Sequence, residues 1–160
     1  MELNKLFKVE YGNKFDLNKM ALSSSLISSI AFVGRSGRNN GVTAYVERNN
    51  DIDPYRSGLI TVALGGAILS SFVQPKAFYT AQNIAVLIPL SEMTLSEKLY
   101  YCACIRANQH RYGAFGREAN RTLRTMLVPS SDSIPTWVPL AAEQVLEEWK
   151  ADLKRLVVTG

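Results

Sequence analysis

Phe7, Val9 and Tyr11 alternate with polar residues, the period-2 pattern of a strand with one buried face, and Gly12-Asn13 after them predicts a turn. A short apolar run from Ser28 to Val33 gives way to the polar stretch Gly34 to Gly41, dense in glycine and asparagine, before alternation resumes over Val42 to Val46. Asp51-Ile52-Asp53-Pro54-Tyr55 predicts another turn, since proline presets φ and aspartate side chains bond nearby backbone amides. Gly58 to Leu64, Ala67 to Gln74 and Asn83 to Ile88 are rich in Ile, Val, Leu, Thr and Phe and predict strands, broken by Gly65-Gly66 and Pro75-Lys76. From Thr94 the period changes. Leu95, Leu99, Cys102 and Ile105 fall at helical spacing, with a capping box between Thr94 and Glu97, and predict a helix to about Asn108.

Beyond that helix, Tyr112-Gly113-Ala114-Phe115-Gly116 predicts a loop, followed by a helical turn from Glu118 to Leu123 and a strand ending at Pro129. Ser130 to Pro135 is a run of turn-forming residues. It precedes a terminal helix, Pro139 to Val158, in which Ala142, Leu146, Trp149, Leu153 and Leu156 recur at alternating gaps of four and three. That stripe suits either an amphipathic helix packed on its own domain or a seam for a second helix. The elements together predict a mixed α/β (α+β) fold with a mixed sheet, a packed helix and a C-terminal amphipathic helix.

Composition narrows the function classes. At 160 residues, 47% hydrophobic and 20% charged, the chain fits one ordinary globular domain. Its apolar runs fall far short of the ~20 residues of a membrane helix, and Met1 to Lys5 lacks a signal-peptide apolar region, so a soluble, cytoplasmic protein is expected. Cys102 and Cys104, with His110 as the single histidine, cannot supply four zinc ligands, and both cysteines are expected to pack in the core. No cofactor or metal is expected. Asp53-Pro54-Tyr55 lacks the second proline of a base-stacking methyltransferase motif, and Ala63-Leu64-Gly65-Gly66-Ala67 lacks the Gly-Lys-Ser/Thr ending of a P-loop. His110 alone does not make a triad, so no catalysis is expected.

A net charge of +4 and a pI near 9.1 permit a polyanionic partner. The arginines cluster. Arg106, Arg111, Arg117, Arg121 and Arg124 share their segment with Tyr112, Asn108, Gln109, His110 and Asn120 and with a lone acid, Glu118. Arg35, Arg38, Asn39 and Asn40 form a second polar cluster, and Gln74, Lys76, Tyr79, Gln82 and Asn83 a third. Arginine can pair bidentately with phosphate or with guanine, and Asn and Gln match the adenine edge, so these clusters combine positioning with base-reading chemistry. Candidate DNA contacts are therefore Arg35, Arg38, Asn39, Asn40, Gln74, Lys76, Tyr79, Gln82, Arg111, Tyr112, Arg117, Asn120, Arg121 and Arg124.

The blocks Gly34 to Val42, Gly58 to Gly66, Ser70 to Pro75, Phe78 to Leu87 and Tyr112 to Leu123 follow one another in an order and spacing that resemble a known family. It is the specificity domain of type I restriction-modification systems, including its variants in type IIB and IIG enzymes. The resemblance implies a target recognition domain over residues 1–130, a linker over 131–138 and a helix over 139–160 that stands where that family's longer spacer helix begins. It also implies a non-catalytic protein that reads half of a bipartite double-stranded DNA site for partner methyltransferase and nuclease subunits in phage defence. A homodimer through Leu146, Trp149, Leu153 and Leu156 would match an inverted repeat. Alternatives are an inhibitor or decoy occupying a specificity subunit's place in a restriction complex, and a transcriptional regulator derived from the fold.

Overall fold

The computed structural model describes residues 1–112 and 119–159. Its strands are β1 (Phe7–Glu10), β2 (Ile30–Val33), β3 (Val42–Val46), β4 (Ile60–Ala63), β5 (Ser71–Val73), β6 (Phe78–Thr80) and β7 (Ile84–Pro89); its helices are α1 (Leu95–Arg106) and α2 (Val138–Thr159). The strands form two sheets. The first is antiparallel in the order β1-β7-β4-β5, and the second has the order β3-β2-β6, with β2 antiparallel to β3 and parallel to β6.

Apart from Thr61, β4 and β7 are apolar on both faces because both faces are covered. Ile60, Val62, Ala85 and Leu87 pack with Phe7, Val9 and the α1 residues Tyr101, Cys102 and Ile105. On the other face Ala63, Ile84 and Val86 meet Ala31, Val33 and Phe78 of the second sheet. That sheet's far side buries Phe32, Val46 and Tyr79 beneath Phe15, Leu17 and Met20. The result is a stack of α1, first sheet, second sheet and an irregular cover. Each fully buried large apolar side chain in it contributes about 1.5–3 kcal/mol.

Several sequence expectations shift in the structure. β6 has no counterpart in the sequence pattern, since three residues between Lys76 and Gln82 are too few to display a period, and all three are buried. β5 begins at Ser71 rather than Ala67, because Leu69 is held at a left-handed φ of 59° that no strand accommodates. The strand expected to end at Pro129 reduces to a bridge between Leu127 and Glu2. The expected helical turn from Glu118 becomes 3-10 turns at Ala119–Arg121 and Leu123–Thr125, Glu118 itself lying outside the described residues. In α1, Cys102 and Ile105 face the core as expected, but Leu95 and Leu99 remain 41% and 43% exposed and turn toward α2, while Tyr101 takes the core position. Both cysteines are free thiols; Cys102 is buried, which pushes its thiol up to about 12, and Cys104 is half-buried.

α2 starts at Val138, the last residue of the expected linker, and only its first turns are anchored. Val138 is buried, and Ser96 of α1 accepts from the Ala142 amide at 2.9 Å while donating to Glu143 at 2.9 Å. No helix among the described residues is long and apolar enough to cross a membrane.

Two local devices can be tested. The capping box is present, with the Thr94 hydroxyl accepting from the Glu97 amide at 3.2 Å and Glu97 accepting from the Thr94 amide at 2.7 Å. Thr94→Ala is expected to lower stability by about 1 kcal/mol in urea denaturation. Gly12 has a φ of +64°, and a Cβ there would lie 2.1 Å from Thr80 Oγ1, so Gly12→Ala is expected to cost more than that cap. The backbone contribution alone is about 1–3 kcal/mol.

Candidate nucleic-acid interface

The strand directions bring separate loops to one end of the molecule. β2 and β6 run parallel, β6 passes to β7 through residues 81–83, and β7 lies antiparallel to β1 and β4. The carboxyl ends of β1, β2, β4 and β6 therefore share one edge. Backbone bonds join their loops. The Ala67 amide donates to Arg35 O at 3.1 Å, the Leu64 amide to Asn83 O at 2.8 Å, and the Ala119 amide to Leu64 O at 3.1 Å. Gln109 Nε2 donates to Ile68 O at 3.0 Å, carrying the segment after α1 onto the β4–β5 loop. Gly37 sits so close to Ala67 and Ser70 that a Cβ would approach within 3.3 Å and 3.2 Å of them.

This end is also where the backbone is strained. Among the described residues the non-glycine positions with positive φ are Lys14, Asn39, Asn40, Leu69 and Asn83, and every one belongs to these connections. Left-handed backbone in residues other than glycine costs of order 1–3 kcal/mol each and concentrates at functional sites.

Most of the arginine clusters meet here. Arg35, Arg38, Asn39, Asn40, Gln82, Arg111, Arg121 and Arg124 are exposed on these loops, and Tyr112 and Asn120 are half-buried among them. Arg124 stacks over the Tyr11 ring at 5.1 Å while the Tyr11 hydroxyl donates to Asn120 O at 3.0 Å. Tyr112 and Thr122 share a 2.5 Å hydroxyl pair at an open hollow of about 330 Å³ beside Arg111. Among the described residues no ion pair engages Arg35, Arg38, Arg111 or Arg121, so their guanidinium groups stay available to an anion.

Three expected contacts lie elsewhere. Gln74 is fully buried and donates to Asn40 O at 2.7 Å and to Thr61 Oγ1 at 2.8 Å. Tyr79 is fully buried too, its hydroxyl donating to Ile52 O at 2.6 Å and accepting from the Asn49 amide at 3.0 Å. Lys76 belongs to the opposite end, bound to Leu26 O at 2.7 Å and Ser29 Oγ at 3.2 Å and lying over the Tyr45 ring at 5.2 Å. Each is an interior or distal tie. Arg117 and residues 113–116 lie outside the described residues. Lys14, exposed beside Tyr11, Asn83 and Asn120, joins the basic end although it belongs to none of the three clusters visible in the sequence. Its only local signal is the Gly12-Asn13 turn ahead of it.

α2 presents a different surface. Leu146, Trp149, Leu153 and Leu156 are 44%, 63%, 63% and 69% exposed, so the stripe is not consumed by its own domain. Leu146 and Trp149 flank an apolar groove of about 570 Å³ between α1 and α2, opposite Leu95 and Leu99.

The sequence matches the model of the type I restriction modification DNA specificity domain over residues 1–123. No curated protein sequence matches the chain significantly. Among solved structures, the S subunit of a type I restriction-modification system from M. genitalium is similar at a TM-score of 0.61 and 15% identity, over 99% of this chain and 40% of that one. The HsdS subunit of Thermoanaerobacter tengcongensis gives 0.60 and 13% over 99% and 38%. A chain of a type I R-M system, solved for its complex assembly and conformational transition, gives 0.62 and 14% over 99% and 38%. The likeness of fold thus runs through α2, and the chain spans about two fifths of the length of these relatives.

Proposed function

Because the chain belongs to the type I restriction modification DNA specificity domain family, we propose that its basic end reads a short sequence in double-stranded DNA. The observation that carries this reading is the meeting of the β2–β3 loop, residues 81–83, residues 109–112 and residues 119–125 at one edge of two sheets. Guanidinium groups supply phosphate contacts that set register, and Asn39, Asn40 and Gln82 supply hydrogen bonds suited to base edges. The protein contributes recognition and no catalytic group. Its place of work is the cytoplasm, with a methyltransferase subunit and, through it, a nuclease in phage defence.

The exposed stripe on α2 supports a homodimer in which two basic ends address two half-sites of an inverted repeat. Burial of Trp149 and Leu153 against a second helix would remove large aromatic and aliphatic surfaces from water.

Selection from random duplex DNA tests the first part: a defined motif should emerge. The double change Arg38→Ala and Arg121→Ala should weaken binding and reduce the slope of log K against log salt by about 0.9 for each phosphate that is no longer neutralised. Lys76→Ala, at the far end, should leave both unchanged. Equal binding by all three proteins would defeat the assignment of this end. For the dimer, sedimentation equilibrium should show a two-chain species that Trp149→Ala with Leu153→Ala converts to one chain, and a monomeric wild type would rule it out.

A further inference from the structure

The β2–β3 loop carries its exposed Arg38, Asn39 and Asn40 on an unusual backbone. Asn39, Asn40 and Gly41 adopt φ of 50°, 54° and 73° in succession, a left-handed turn two of whose members are not glycine. The turn is closed locally by the Gly41 amide donating to Arg38 O at 2.9 Å and by Asn39 Nδ2 donating to Val42 O at 3.2 Å. It is held from below by Gln74. Nε2 of that fully buried side chain bridges Asn40 O and Thr61 Oγ1, tying the turn to β4.

The orientation of this amide is dictated by its partners. A backbone carbonyl only accepts, so the group facing Asn40 O must be the NH₂. Gln74 Oε1 is then left buried with no hydrogen-bond partner among the described residues. An apolar side chain of the same length would fill the space without that orphaned acceptor, so packing alone does not explain a glutamine here. The bond to Asn40 does.

We propose that Gln74 is a positioning residue for base reading: it fixes the left-handed turn that presents Arg38, Asn39 and Asn40, without itself touching DNA. This rests on the DNA-reading function proposed above. Phosphate attraction tolerates small displacements of a long arginine side chain, whereas a hydrogen bond to a base edge does not. Loss of the clamp therefore lowers discrimination more than general affinity.

The test compares wild type with Gln74→Met, which keeps the shape and removes both donors, and with Gln74→Leu, which removes them in a branched apolar side chain. Amide exchange at Gly41 and Val42 is measured in the free proteins, and binding is measured to the selected duplex and to a scrambled one. In both variants exchange at these amides should accelerate, and the preference for the selected duplex should fall about tenfold or more, the scale of one mismatched base pair. Affinity for the scrambled duplex and the salt slope should stay the same, because the arginines remain. Thr61→Val, which removes the partner in the sheet but keeps the bond to Asn40, should retain the preference whatever its effect on stability. Unchanged exchange, an unchanged preference, or an equal loss of preference in Thr61→Val would overturn the proposal. A wild type without any preference would overturn the DNA-reading function and the role of Gln74 in it. Faster exchange in the variants would then show that the clamp exists and that the function assignment is what failed.

Discussion

Burial of the first sheet on both faces is the constraint on which the rest of the structure depends. Ile60, Val62 and Leu87 point toward α1 while Ala63, Ile84 and Val86 point toward the second sheet, so a shift of one residue in β4 or β7 would exchange the two cores. The registers of β4 with β5 and β7 are fixed by that alternation. The positions of the loops at the strand ends follow. A surface assembled from segments as distant in sequence as Arg35 and Arg121 requires such a rigid base, because side chains on independent loops could not keep a common arrangement.

The stability of that base offsets the strain at its edge. Asn40, Leu69 and Asn83 hold left-handed backbone under cross-loop bonds or burial. Leu69 is itself fully buried, Asn83 O receives the Leu64 amide, and Asn40 O receives Gln74. Polar residues thus divide into those that make the surface and those that hold it in shape. Gln74 belongs to the second group, while Tyr79 ties Asn49 and Ile52 of the β3–β4 connection, and in sequence both carry the same chemistry as the first group.

That ambiguity marks how far the sequence is legible. Strands of four or more residues, the Thr94 capping box and the terminal helix announce themselves through period and end signals that act locally. β6 does not, since three buried residues carry no period and its identity depends on a parallel pairing with β2. The basic loops are recognisable as candidates from their arginines and asparagines, but whether a given Gln or Tyr faces water is decided by strand register and by partners tens of residues away. Lys76 shows the limit. It stands between Gln74 and Tyr79 in sequence, yet the β5–β6 connection places it at the end opposite Arg38. The face of α1 departs from expectation for a related reason: Leu95 and Leu99 satisfy helical spacing, but they serve the contact with α2 rather than the sheet.

The two exposed surfaces obey different physics and are built on different parts of the chain. In the proposed function the basic end would draw on long-range charge, screened over about 8–10 Å at physiological salt, and on hydrogen bonds whose geometry the strand ends enforce. The α2 stripe draws on apolar area and is anchored to the domain near Ser96 and Val138, leaving Leu153 and Leu156 beyond the anchored turns. Because the helix is held near one end only, its direction is set by the α1 contact, and the Ser96 hydroxyl, bonded to both Ala142 and Glu143, is the polar element of that joint. Any partner gripping the stripe is thereby given a fixed orientation relative to the sheets. In the proposed homodimer, spacing between the two basic ends would be controlled at a joint that lies neither on the basic loops nor on the stripe.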